Sequence, residues 1–169
     1  MKAEELRTAQ SPLKERYRED PQAAVITLRA GGDLDSEGVA CSVETGRALV
    51  EAGLHPATGG DGALACSGDM LLEALVACAG VTLRSVAVNR GMAVAGRVSA
   101  EGDLDFRGTL GVDRDAPVGF GSIRMRFELE TDAGEEDVEK LMQATERYCV
   151  VFQTLTGGVP VTVEHSVSG

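Results

Sequence analysis

Residues 69–83, DMLLEALVACAGVTL, decide how this chain folds. After Asp69 the run is apolar at nearly every position, with Glu73 as its one further acid. Fifteen such residues are too many for an ordinary strand and suit a helix. Set out at about 100° per residue, Asp69, Glu73 and Arg84 fall near one stripe. Ala77 and Gly80 continue that stripe with small side chains. The remaining circumference is apolar, so the helix needs cover on several sides. A sheet of the same chain supplies one cover, and a second subunit would supply the rest. Ser67 is the predicted N-cap, with Asp69 favourable near the positive end, and Gly91 follows Asn89 as the stop signal.

Cys78 lies in the middle of this helix. Its same-face neighbours are Leu71, Ala74, Leu75, Val81, Thr82 and Ser85, which place it within the apolar region. A second inward-facing cysteine comes from a second predicted helix, from Asp132 to Leu155, opened by Asp132 and Glu135 at capping-box spacing. Its apolar face is Val138, Leu141, Met142, Tyr148, Cys149, Phe152 and Leu155. Two thiols thus point inward from helices expected to pack together. Buried cysteines are commonly inert; a reactive one must ionise, which a dry site opposes and a nearby cation favours.

Around the two helices the pattern changes to strands. SIRMRFELE (122–130) alternates most cleanly, with Ile123, Met125, Phe127 and Leu129 facing one way and charged residues the other. AAVITLRA (23–30), VACSVET (39–45), RALVEA (47–52), MAVAGRVSAEGDL (92–104) and VPVTVEHSV (159–167) read as further strands. GGDLDSEG (31–38) reads as a turn, and SPLKERYRED (11–20) as a charged surface helix. The loop 53–68 holds five glycines without the lysine or the spacing of a phosphate motif. The order of elements predicts an α+β fold, a largely antiparallel sheet packed on two helices, with residues 1–22 as an N-terminal helical extension and 23–169 as the domain.

Composition bounds the function. The 169 residues carry 16 basic and 27 acidic side chains, a net charge of −11, which argues against nucleic acid and anionic membrane surfaces as partners. The first 20 residues contain no apolar run of the signal-peptide kind, and no unbroken stretch of about 20 apolar residues is present to span a bilayer. The cytoplasm is the expected compartment. Four cysteines without a CxxC and two histidines predict no metal site, and no cofactor is expected.

GDMLLEALVACAGVTL (68–83) resembles the central-helix signature of the OsmC/Ohr family, the osmotically inducible and organic hydroperoxide resistance proteins. ERYCVVFQTLTGGVPVTV (146–163) resembles that family's second cysteine segment and final strand. The resemblance covers residues 23–167 and implies antiparallel sheets wrapped around two central helices in an intertwined homodimer. It implies a thiol-dependent peroxidase that reduces organic hydroperoxides. Cys78 matches the peroxidatic cysteine and Cys149 the resolving cysteine, with an external dithiol as reductant. The family's activating Glu falls at Gly68, which makes the adjacent Asp69 its candidate replacement. Arg47 is the candidate for the activating Arg, with His55 as another. Val150 stands where relatives carry proline. The alternative reading is a non-enzymatic dimeric redox-sensing or small-ligand-binding protein that keeps the fold and the thiols but turns over slowly.

Overall fold

A computed structural model of the chain describes residues 31–34, 40–44, 49–111 and 113–167, with isolated positions at 4, 8 and 19. The predicted N-terminal helix and the strand at 23–30 lie outside the described residues, as does Arg47. Strands β1 (Gly31–Leu34), β2 (Ala40–Glu44), β3 (Leu49–Gly53) and β4 (Ala65–Cys66) form a four-stranded sheet in that order. Gly31–Leu34, read from the sequence as turn, is therefore strand: it pairs antiparallel with Cys41–Glu44, and that pairing overrides the glycines. The β3–β4 pair is parallel, Ala52 against Ala65 and Gly53 against Cys66.

Helix α1 (Ser67–Asn89) runs the predicted length, and Gly91 follows it at φ 71°. Its start differs from expectation. Ser67 is already helical, and Cys66 occupies the cap position without a side-chain cap bond. By length and composition α1 could cross a membrane. Its apolar run is not unbroken, because Asp69, Glu73 and Arg84 interrupt the helix on its polar stripe.

Strands β5 (Ala95–Leu104) and β6 (Phe120–Glu130) pair antiparallel as a separate two-stranded sheet, joined through the one-turn helix α2 (Phe106–Thr109). Ile123, Met125, Phe127 and Leu129 are the less exposed face of β6, as their alternation predicts. Gly96, at φ 127°, lets the strands close: a Cβ there would stand 2.0 Å from the Glu128 carbonyl oxygen. Thus α+β holds, with the described strands divided between two sheets rather than one.

The second long helix is two helices. α3 runs Glu135–Tyr148 behind the N-cap Gly134, so the Asp132–Glu135 capping box does not form. The chain then leaves helical geometry at Cys149 (φ −73°, ψ 108°) and resumes as α4 (Val150–Gly157), ended by Gly158 in the left-handed region. Leu75, Ala79, Leu83 and Ala87 of α1 are its buried stripe; Leu83 and Ala87 pack with Val94 and Leu141, and Leu75 and Ala79 line a cleft with Thr145 and Cys149. Tyr148, assigned to the apolar face, is 63% exposed at the last position of α3, with the Arg147 guanidinium 5.9 Å from its ring centre. Residues 159–167 form no strand among the described residues, and Val161 and Val163 are 86% and 88% exposed. Their alternation is genuine, but a strand exists only against a partner edge, and none within the described residues meets it.

Candidate functional site

The break at Cys149 builds the site. A continuous helix would bind the amides of residues 150–152 to carbonyls four residues earlier. Here the Cys149 N–H still donates to the Thr145 carbonyl at 2.9 Å, after which the ladder stops. The Gln153 side chain stitches the corner by donating to the Glu146 carbonyl at 2.9 Å, and the Gln153 amide donates to the Cys149 carbonyl at 3.0 Å. Thr145, buried at the corner, is satisfied by the Leu141 carbonyl at 2.8 Å. The first amides of α4 are left pointing out of the helix start, where no side chain of their own cap residue binds them.

Those amides face Cys78. Burial pushes the Cys78 thiol up, but the N–H groups of Val151 and Val150, the Cys149 thiol and the Thr82 hydroxyl all favour its thiolate, and together they hold it below the ordinary thiol range. Burial pushes Cys149 the other way. The neighbouring Cys78 adds to that rise, and the Phe152 amide offsets only part of it. Each thiol acts on the other's proton, and the opposed shifts leave Cys78 the one that ionises first and Cys149 the one that keeps its proton. The pair therefore holds one favoured thiolate. No cation among the described residues acts on it; the free end of α4 takes that part.

Cys78 does not lie deep in the apolar region, as its sequence neighbours suggested. Leu75 beside it is buried, whereas Leu71, Ala74 and Val81 on its other side are exposed, Val81 at 72%. Cys78 thus sits at the border between the packed and the open face of α1. Cys149 is 1% exposed. It lines a cleft of about 620 Å³ between α1, β6 and the α3–α4 corner, walled by Leu75, Met125, Phe127, Met142 and Phe152. Glu146 is the one charged residue among the described residues of that wall.

The remaining candidates lie elsewhere. Asp69 is nine residues before Cys78 on the same helix, about 13 Å along its axis. It shares a smaller pocket with His55, Cys66 and Glu73. His55 accepts the Ala57 amide through Nδ1 at 3.0 Å and stacks on Phe106 at 5.1 Å between ring centres, which ties it to the loop rather than to Cys78. Arg84, on the same stripe as Asp69 and Glu73, donates to the Val94 carbonyl. The sequence reading missed Thr82 as a partner of the thiol, although its place one turn after Cys78 marked it as a neighbour. It also missed the amides of Val150 and Val151, because nothing in the hydrophobic spacing marks a break at Cys149.

Comparison with known proteins agrees with the geometry. The OsmC-like protein family model matches residues 60–164. The chain belongs to the OsmC-like family. Among solved structures it is similar to an OsmC-like protein of Mycoplasma pneumoniae, at 15% identity and TM-score 0.64, covering 78% of this chain and 89% of that one. It is also similar to an organic hydroperoxide resistance protein OsmC of Legionella pneumophila, at 15% identity and TM-score 0.58, over 79% and 92% of the two chains. The organic hydroperoxide resistance protein OhrB of Bacillus subtilis matches at 17% identity and TM-score 0.52, over 79% and 93%. These likenesses concern the fold. No curated protein matches the sequence.

Proposed function

We propose that this protein is a cytoplasmic, homodimeric thiol peroxidase that reduces organic hydroperoxides. The observation that carries the reading is the meeting of Cys78 and Cys149 at the free amides of α4. The Cys78 thiolate attacks the terminal oxygen of the hydroperoxide. The S–O bond forms as the O–O bond breaks, and the alkoxide leaves and takes up a proton as the alcohol. Cys78 is then a sulfenic acid. Cys149 attacks its sulfur, water departs, and a disulfide joins the two residues. A dithiol returns both to thiols and is itself oxidised to a disulfide. Asp69 and Arg47 are the proposed polarising groups. Asp69 would reach a reacting thiol only across an interface, since its own helix holds it away from Cys78. The open face of α1, with Ala74, Ala77 and Val81 uncovered, supports a second copy of the chain as that partner.

Mixing reduced protein with cumene hydroperoxide and dithiothreitol tests the reading: peroxide is consumed catalytically, and Cys78→Ser abolishes it. A rate that Cys78→Ser leaves intact would remove the enzyme. The cleft beside Cys149 supports a second reading, a small-ligand-binding or redox-sensing protein. That reading gives only slow peroxide consumption in the same assay, because dithiothreitol reduces whatever disulfide forms.

A further inference from the structure

The chain carries 27 acidic against 16 basic side chains, yet one groove reverses that balance. It runs along α3 from the end of α1 to the α3–α4 corner and encloses about 620 Å³. Arg90, Lys140 and Arg147 line it, with Glu146 as the one acid among its described residues. Helical spacing brings these cations together. Lys140, Ala144 and Arg147 follow at i, i+4 and i+7 on one face of α3, and the small Ala144 leaves room between the two long side chains. Arg90 caps α1 in right-handed helical geometry, three residues beyond buried Ala87. That phase sets Arg90 about 180° round the helix from Val81, so the groove lies away from the face of α1 that a second subunit would cover.

Among the described residues neither Arg90 nor Arg147 forms an ion pair, although Glu146 lines the same groove. Lys140 is held by Glu136 at 2.5 Å. Three cations and one acid leave the lining with a surplus of two positive charges, which matches a dianion better than a monoanion. The arginines present forked N–H pairs that fit phosphate oxygens. A flat apolar surface adjoins them. The Arg147 guanidinium lies over the Tyr148 ring at 5.9 Å, which leaves its N–H edge open to an acceptor, and half-buried Phe152 adds a second ring. We propose that this groove binds a small phosphate monoester carried on a flat aromatic ring. The phosphate sits between Arg90 and Arg147, and the ring rests on Tyr148 and Phe152. A phosphate is favoured over a dicarboxylate because it places both charges on one group, where two guanidinium groups reach it together and the ring stays free for the aromatic floor. The volume suits a small organic ligand. The site contains no thiol, shares only Glu146 and Phe152 with the cleft at Cys149, and does not rest on the peroxidase reading.

Isothermal titration calorimetry of the reduced full-length protein tests this, in phosphate-free buffer at about pH 7.5, where phenyl phosphate is largely a dianion. Phenyl phosphate is expected to bind once per chain, about tenfold or more tighter than inorganic phosphate or phenol. Phenyl sulfate, the monoanion of the same shape, should bind about fivefold more weakly. Arg90→Gln and Arg147→Gln should each weaken phenyl phosphate about tenfold. Lys140→Gln, whose ammonium Glu136 already holds, should cost about twofold. Glu146→Gln should tighten binding about twofold, a gain that misfolding cannot imitate. Absence of saturable binding overturns the proposal, as does binding that both arginine variants leave unchanged. Equal affinity for phenyl phosphate and inorganic phosphate overturns the aromatic floor, and equal affinity for phenyl sulfate overturns the match to a dianion. A Cys78→Ser, Cys149→Ser protein should bind phenyl phosphate as the wild type does, so failure of the peroxide assay leaves this site standing. Loss of binding in that double variant would place the ligand elsewhere and overturn the assignment.

Discussion

Cys66 and Cys78 each lie against the beginning of a helix, in opposite relations to it. Cys66 occupies the cap of α1 itself, bonds none of that helix's amides through its side chain, and shares its pocket with His55 and two carboxylates. Cys78 belongs to one helix and stands in front of the start of another, where the amides of Val150 and Val151 have no cap side chain to bind them. Nearness to a helix start is therefore not what prepares a thiol. What matters is unclaimed N–H groups aimed at the sulfur from an element that is not its own.

The most severe way to break this contrast is to exchange the two thiols' importance. Cys78→Ser is expected to abolish hydroperoxide consumption, while Cys66→Ser retains it within about twofold; the peroxide assay with dithiothreitol reads both. Equal loss in the two variants would mean that their surroundings do not distinguish them. Cys149→Ala comes next. With no partner to form the disulfide, Cys78 passes from sulfenic to sulfinic acid, and turnover falls about tenfold or more after the first cycle. Intact-mass analysis after peroxide treatment would show the added oxygens.

A finer probe is Val150→Pro. Proline suits the first position of a helix, so α4 survives, but one amide is withdrawn from Cys78. The lowered pKa of Cys78 means that its thiolate, the reactive form, persists below the ordinary thiol range and is lost as pH falls through that lowered value. Iodoacetamide labelling of Cys78 in the wild type should therefore rise with pH through a midpoint below 9.0. In Val150→Pro the midpoint moves up, and labelling at neutral pH slows roughly fivefold. An unchanged profile would mean that the α4 amides do not act on the sulfur. Thr82→Val, which removes a hydroxyl one turn along α1, should move it in the same direction by less. The smallest effect belongs to the other side of the comparison: Cys66→Ser should shift thermal stability by less than about 0.5 kcal/mol in calorimetry.

Cys149 was legible because it obeys helical periodicity: it follows Leu141 and Thr145 at steps of four and shares their buried face, whereas the same periodicity set Cys78 deeper than it lies. β6 was legible for the same reason at period two. The corner at Cys149 was not, because Val150, Val151 and Phe152 are compatible with helix and no glycine or proline marks the stop. It is closed by tertiary contacts, among them the reach of Gln153 to Glu146, which local propensity does not encode. The final strand was misread in the opposite sense. Val161 and Val163 alternate as a strand should, but alternation specifies a face and says nothing about which edge receives it. Gly31–Leu34 shows the same rule from the other side, since pairing with β2 made a strand of residues that read as turn.

The corner at Cys149 has a last consequence for how robust the thiol is. A lysine or histidine set beside a sulfur can lose its proton in alkali, be acylated, or be masked by salt. Peptide dipoles have no proton to give up over that range and offer no amine to modify. In a chain so rich in carboxylates, a side-chain cation would also be claimed by competing acids. Reactivity that issues from the main chain should therefore survive reagents that silence amines, and it would be silenced by whatever straightens the helix.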